Sequence, residues 1–86
     1  MSPALVAFGR QLRRYREAAG LSQARIGSRT GTTASFVSQV EKGKKRCKRS
    51  FLEAIEPDLK SGGALLALYD DLANDCETVV RRLVPV

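Results

Sequence analysis

Five of the seven glycines, at positions 20, 31, 43, 62 and 63, fall just past or before a stretch whose apolar residues recur every three or four positions. A glycine past the end of such a run readily takes the left-handed backbone that closes a helix, where a side chain is strained. The chain is therefore cut into short helical pieces, none of which can bury an apolar stripe alone. With 86 residues there is material for one core, so the pieces must share it.

Ser2-Pro3 suits an N-cap and first helical position. Leu5, Phe8, Leu12 and Tyr15, with Ala19, then form a stripe that predicts a helix over about 3–19, closed by Gly20. Ser22 is the next cap, and residues 23–30 make a two-turn helix ended by Gly31. Thr32-Thr33 caps a third helix, about 34–42, with Val37 and Val40 inward and Gly43 as its stop. Ser50 is the predicted cap of a fourth, which carries Phe51, Leu52, Ile55 and Leu59 and has Pro57 at its end or at a kink. From Ala64, the residues Leu65, Tyr69, Leu72, Cys76, Val79 and Leu83 are spaced 4, 3, 4, 3, 4, a heptad seam. The expected fold is all-α, with five helices.

Charge is divided along the chain. Residues 1–49 hold twelve Lys and Arg against Glu17 and Glu41, a net +10, whereas residues 50–86 are net −4. Such polarity points to a polyanion on one side of the molecule. The chain has no histidine, and Cys47 and Cys76 are isolated, so neither a zinc set nor a Ser-His or Cys-His catalytic pair can be assembled. No enzyme activity, catalytic residue, metal or cofactor is expected, and both thiols read as reduced and inert. No apolar run is long enough to span a membrane, and the first eight residues lack the basic start and long apolar stretch of a signal peptide, which places the chain in the cytoplasm.

The third helix is the informative one. "GTTASFVSQVEKGKKR" holds only Phe36, Val37 and Val40 as large apolar residues, so neighbours must hold one face while the other stays free. Two short helices joined by a tight glycine turn make a helix-turn-helix, in which the second is presented to the DNA major groove. The run "LSQARIGSRTGTTASFVSQVEKGKKR" resembles the Cro/CI-type (XRE) family of regulators, a lambda-repressor-like fold, over residues 8 to about 72. The matching positions are Gln23 opening helix 2, Gly27 where the two helices touch, Gly31 in the turn, Val37 and Val40 in the core, and the closing Glu41-x-Gly43. Alanine is usual in that family where Gly27 stands, an aliphatic where Thr30 stands, and proline near Cys47. "FGRQLRRYREAAGLSQ" together with "FVSQVEKGKKRCKR" is particularly similar to the amino-terminal domains of WhiJ-like actinobacterial regulators.

The resemblance implies base reading by Thr33, Ala34, Ser35 and Gln39, and a phosphate contact from Gln23 at the start of helix 2. Gln39 is the strongest reader, since its amide matches the N7 and N6 edge of adenine, a pairing worth about 1–3 kcal/mol of discrimination. Lys42, Lys44, Lys45 and Arg46 flank the end of helix 3 and are expected to grip the backbone. Arg16 and Glu41 occupy positions that pair in the family, as a structural ion pair tying helix 1 to helix 3.

Residues 1–73 are accordingly read as the DNA-binding domain, and 74–86 as the end of the fifth helix with a tail that can contact a second copy. The expected function is that of a transcription regulator, a repressor, acting as a homodimer on an operator in the nucleoid-containing cytoplasm, with no membrane partner. The alternative is an antitoxin or antirepressor-type protein-binding module on the same fold, engaging its partner through the acidic carboxy-terminal helix. RNA binding is disfavoured, because Phe8, Tyr15, Phe36, Phe51 and Tyr69 fall mostly at core spacings.

Overall fold

The computed structural model describes residues 3–72, so the predicted Ser2 cap lies outside the described residues, and the first three helices stop where local chemistry ends them. Helix α1 spans Pro3–Ala18, α2 Gln23–Thr30, α3 Ala34–Glu41 and α4 Arg49–Leu59. Residues 64–72 are again helical, the described part of α5, and no strand occurs among the described residues. The fold is all-α, as the periodicity predicts.

Capping explains the boundaries. Ser22 accepts a hydrogen bond from the Arg25 N–H and Thr33 from the Phe36 N–H, so α2 and α3 each begin on a hydroxyl cap. At the end of α1 the Gly20 N–H donates to the Glu17 carbonyl and the Leu21 N–H to the Arg16 carbonyl, which closes the last turn in a Schellman arrangement. Ala19 lies beyond that end and is exposed, so the α1 stripe stops at Tyr15.

Helix α4 departs from the sequence reading at its start, and at its far end it excludes one of the two readings of Pro57, that of a helix end. It begins at Arg49, after an extended Lys48 that supplies no side-chain cap, so Ser50 lies inside the first turn and does not cap it. Pro57 lies within the helix, which continues to Leu59. Proline removes only its own N–H bond, and the burial of Leu59 in the core holds the last turn in place. The Glu56 carboxylate then accepts from the Ser61 hydroxyl at 2.6 Å and the Gly63 N–H at 2.7 Å, tying α4 to the start of α5.

Phe8, Leu12, Ile26, Val37, Val40, Cys47, Phe51, Leu52, Ile55, Leu59 and Leu65 form one buried cluster drawn from every helix. Tyr69 and Leu72 pack against it, so the first three members of the heptad seam serve the core of a single chain. Cys76, Val79 and Leu83, and with them the expected dimer contact over 74–86, lie outside the described residues. Helix α3 packs on α1 and α2, and α4 also packs on α1 and α2. The core thus lies between these pairs, and α3 approaches α4 chiefly through Phe36 and Phe51, whose rings meet edge to face at 5.9 Å.

Candidate nucleic-acid interface

Helices α2 and α3 approach closely because Gly27 lacks a side chain. A Cβ there would lie 2.9 Å from the Thr33 carbonyl carbon, closer than side chains approach backbone. The Gly27 carbonyl also accepts the N–H groups of Gly31 and Thr32, so one residue sets both the helix contact and the turn. Thr30, unexpected where an aliphatic is usual, donates its hydroxyl to the Ile26 carbonyl at 2.9 Å and lies 2.7 Å from the Thr32 hydroxyl. A methyl-bearing side chain with a hydroxyl thus serves as a second staple across the turn.

The orientation of α3 is set at its other end by a polar hub. Arg16 on α1 donates to both carboxylate oxygens of Glu41, at 2.6 and 3.2 Å, and to the Leu21 carbonyl at 2.8 Å. Gln23 donates its amide N–H to the same carboxylate at 3.0 Å. Glu41 is 7% exposed, so its carboxylate is satisfied away from water by Arg16 and Gln23, which are themselves half-buried. Such a pair adds little net stability over apolar packing, but removing one partner strands a buried charge. The Gln23 amide keeps one N–H for an outside acceptor, and the N–H groups of Gln23 and Ala24 at the start of α2 have no partner among the described residues.

Gly9 is a position that the sequence reading passed over. A Cβ there would overlap the carbonyl oxygens of Val40 and Glu41 and lie 2.7 Å from the Glu41 carbonyl carbon, so α1 and the end of α3 touch backbone to backbone. Its only signal in the sequence is a glycine in the middle of an apolar stripe, which costs about 1 kcal/mol of helix propensity without a packing reason. Gly43 completes the contact with a φ of +76°, and a side chain there would run into Val6 at 2.7 Å.

With its inner face fixed, α3 shows solvent a polar one. Thr33 and Ser35 are exposed, while Ala34, Ser38 and Gln39 are half-buried. The Thr33 oxygen accepts from Phe36, which leaves its proton to donate outward. The Gln39 amide has no partner among the described residues, and its backbone carbonyl accepts the Lys44 and Lys45 N–H groups at 2.9 and 3.3 Å. That bond and the Gly43 N–H to the Val40 carbonyl form a second Schellman closure, anchoring the cationic loop on the third-last residue of α3. Lys42, Lys44, Lys45 and Arg46 are all exposed. The lysines have no acidic partner among the described residues, whereas Arg46 lies 5.4 Å from the Tyr69 ring centre.

The sequence signature of the helix-turn-helix domain matches residues 7–55, more than half of the chain, from the first turns of α1 into α4. The chain belongs to the helix-turn-helix domain family. No curated protein and no solved structure gave a significant match. In such domains the second helix of the motif is the element presented to DNA; the second helix of the motif in this chain is α3, and membership in the family implies DNA binding. No helix among the described residues is long and apolar enough to cross a membrane.

A cleft of about 530 Å³ flanks the helix-turn-helix where α3 and α4 diverge, lined by Arg29, Thr32, Phe36, Arg46, Lys48 and Phe51 among others. Arg29 is committed to Asp58 at 2.6 Å, linking α2 to α4. Arg10 and Arg14 are exposed without an acidic partner among the described residues, and Arg13 pairs with Glu17 at 2.7 Å. Cys47 is 3% exposed. Its thiol is pushed up from the ordinary 9.0 to about 11, chiefly by burial, against the opposing pull of a backbone hydrogen bond and the Arg46 charge. A thiol so placed is a small apolar group.

Proposed function

We propose that this helix-turn-helix protein is a sequence-specific transcription regulator, a repressor that acts as a homodimer in the cytoplasm and inserts α3 into the major groove of its operator. The reading rests on one observation above all. The Gln39 amide has no partner among the described residues, on a helix whose opposite face is locked by Val37, Val40 and the Glu41 hub, and its own carbonyl holds the cationic loop. A reading group and the phosphate anchors are thereby fixed to one backbone segment, so a grip on the phosphates sets the register in which the base edge is read.

In this scheme Thr33, Ala34 and Ser35 approach bases at the start of α3, and Lys42, Lys44, Lys45 and Arg46 hold the strand beyond its end. Gln23 donates its second amide N–H to a phosphate while its first stays on Glu41. Few base contacts are available, so much of the sequence preference comes from DNA shape. The homodimer is expected on half-sites about one helical turn, 10–10.5 bp, apart.

Fluorescence-anisotropy titration of operator and scrambled duplexes over a range of salt concentrations tests the proposal. Gln39→Ala is expected to weaken operator binding by about 1–3 kcal/mol and leave scrambled DNA unchanged. Lys45→Ala is expected to weaken both and lower the log–log salt slope by about one unit per lost phosphate contact. Wild-type binding without salt dependence, or a Gln39→Ala chain that keeps operator binding and loses a protein partner, would overturn it in favour of the protein-binding module.

A further inference from the structure

The cations that border α3 are not all free. Arg46 lies over the Tyr69 ring at 5.4 Å, and Arg49, the first residue of α4, pairs with Asp70 as well as with Glu53. Tyr69 and Asp70 are consecutive residues of α5, so one short stretch of that helix holds two cations of the "KGKKRCKR" run. Tyr69 in turn meets Phe8 edge to face at 6.1 Å, which fixes the stretch against α1. Lys44 and Lys45, earlier in the same run, have no such partner among the described residues. The run is therefore divided into an open part and a part that α5 occupies.

We propose that α5 is an intramolecular competitor for DNA, with the Tyr69 ring and the Asp70 carboxylate standing in for backbone phosphates on Arg46 and Arg49. The inference rests on the reading of this loop as a phosphate-gripping one. An exposed cation–π contact is worth only about 0.5–1 kcal/mol and an exposed Arg–Asp pair is weak, so a phosphate can displace either contact cheaply. Both side chains of the Arg49–Asp70 pair are 48% exposed, which leaves the guanidinium within reach of a strand. Duplex binding then releases Asp70, loosens the hold of α4 on α5, and makes the position of α5 respond to DNA. Conversely, a partner that draws α5 away frees two more cations and tightens DNA binding. Linkage requires the two effects to be equal in size.

The attachment of α5 is suited to such movement. Between α4 and α5 the chain runs through Gly62 and Gly63, both at positive φ, and the Glu56 carboxylate holds that turn through Ser61 and Gly63. Leu65, fully buried, keeps the beginning of α5 on the core. The release concerns the Tyr69 to Asp70 stretch and not the whole helix.

The test is a double-mutant cycle on the full chain, read by anisotropy with a fluorescent random-sequence duplex at low salt. Asp70→Asn is expected to bind about two- to five-fold more tightly than wild type, the scale of an exposed ion pair, with a steeper salt slope. Asp71→Asn makes the same change in net charge at an exposed neighbour with no cationic partner among the described residues, and is expected to give a distinctly smaller gain. In an Arg49→Gln background the gain from Asp70→Asn is expected to vanish. Equal gains from Asp70→Asn and Asp71→Asn, or a gain that persists without Arg49, would mean that net charge alone is at work and would overturn the proposal. Lys45→Ala run in parallel separates this failure from that of the functional reading: loss on Lys45→Ala without the Asp70 effect overturns only the competition. A wild-type chain that binds no duplex overturns both.

Discussion

The two flanks of α3 are built in opposite ways. Toward α1 the contact is backbone on backbone at Gly9, reinforced by Gly43 against Val6 and by the buried Arg16–Glu41–Gln23 hub. Toward α4 there is one ring edge, Phe36 on Phe51, beside a cleft of about 530 Å³. The first flank has no room for a methyl group, while the second borders an open groove. Helix α3 therefore takes its position from α1 and α2, and α4 closes the core without steering it. The reading head proposed for α3 requires a position that does not drift relative to its anchors, and the rigid flank is the one that carries Glu41, two residues after Gln39.

The largest effect is expected at the hub. Glu41→Ala leaves the Arg16 guanidinium, 11% exposed, without its carboxylate, and is expected to cost about 3–5 kcal/mol in urea denaturation. A loss below about 1 kcal/mol would show the hub to be no more than a surface pair. Gly9→Ala comes next, with an expected cost of about 1–3 kcal/mol, because the new methyl overlaps backbone that cannot rotate away. Its partner experiment is Ala54→Met, which adds a larger side chain to the wall of the open cleft and is expected to stay within about 0.5 kcal/mol of wild type. Equal losses at Gly9 and Ala54 would abolish the distinction between the flanks.

Cys47 sharpens the comparison in alkali. It lies in the loop bordering the open flank, between the cleft residues Arg46 and Lys48, yet its thiol is buried. Folding raises its pKa from 9.0 to about 11, so the folded chain holds the proton where the unfolded chain has lost it. The contribution to stability is complete below pH 9 and is lost as pH rises through about 11. Thermal melts across that window are expected to fall for the wild type more steeply than for Cys47→Ala, and alkylation of the native thiol at pH 8 to be slow. Rapid alkylation would show solvent reaching beneath the loop. The smallest effect belongs to the exposed pairs: Arg13→Ala, which breaks a contact whose side chains are 63% and 56% exposed, is expected to change stability by at most about 0.5 kcal/mol.

The sequence by itself determined the elements and the motif. Glycines and hydroxyl caps act within a few residues of themselves, so the close of α1 and both ends of α2 and α3 are legible from their own neighbourhood: Gly20, Ser22, Gly31, Thr33 and Gly43 all stand at the boundaries they predict. The core stripe follows from periodicity for the same reason. Helix α4 was decided by tertiary structure instead, because the burial of Phe51 and Leu59 outweighs the local signals of Ser50 and Pro57. The charge run was legible as a run, but its division into open lysines and arginines held by α5 was not, since Tyr69 and Asp70 are more than twenty residues away along the chain. Gln23 likewise reads as a phosphate ligand from its place at a helix start, and only the folded chain turns its amide onto Glu41, 18 residues on. Local chemistry can be read where it is written. Which polar groups meet, and which of them are left for a partner, depends on contacts between segments distant in sequence, and those are set when the helices share their one core.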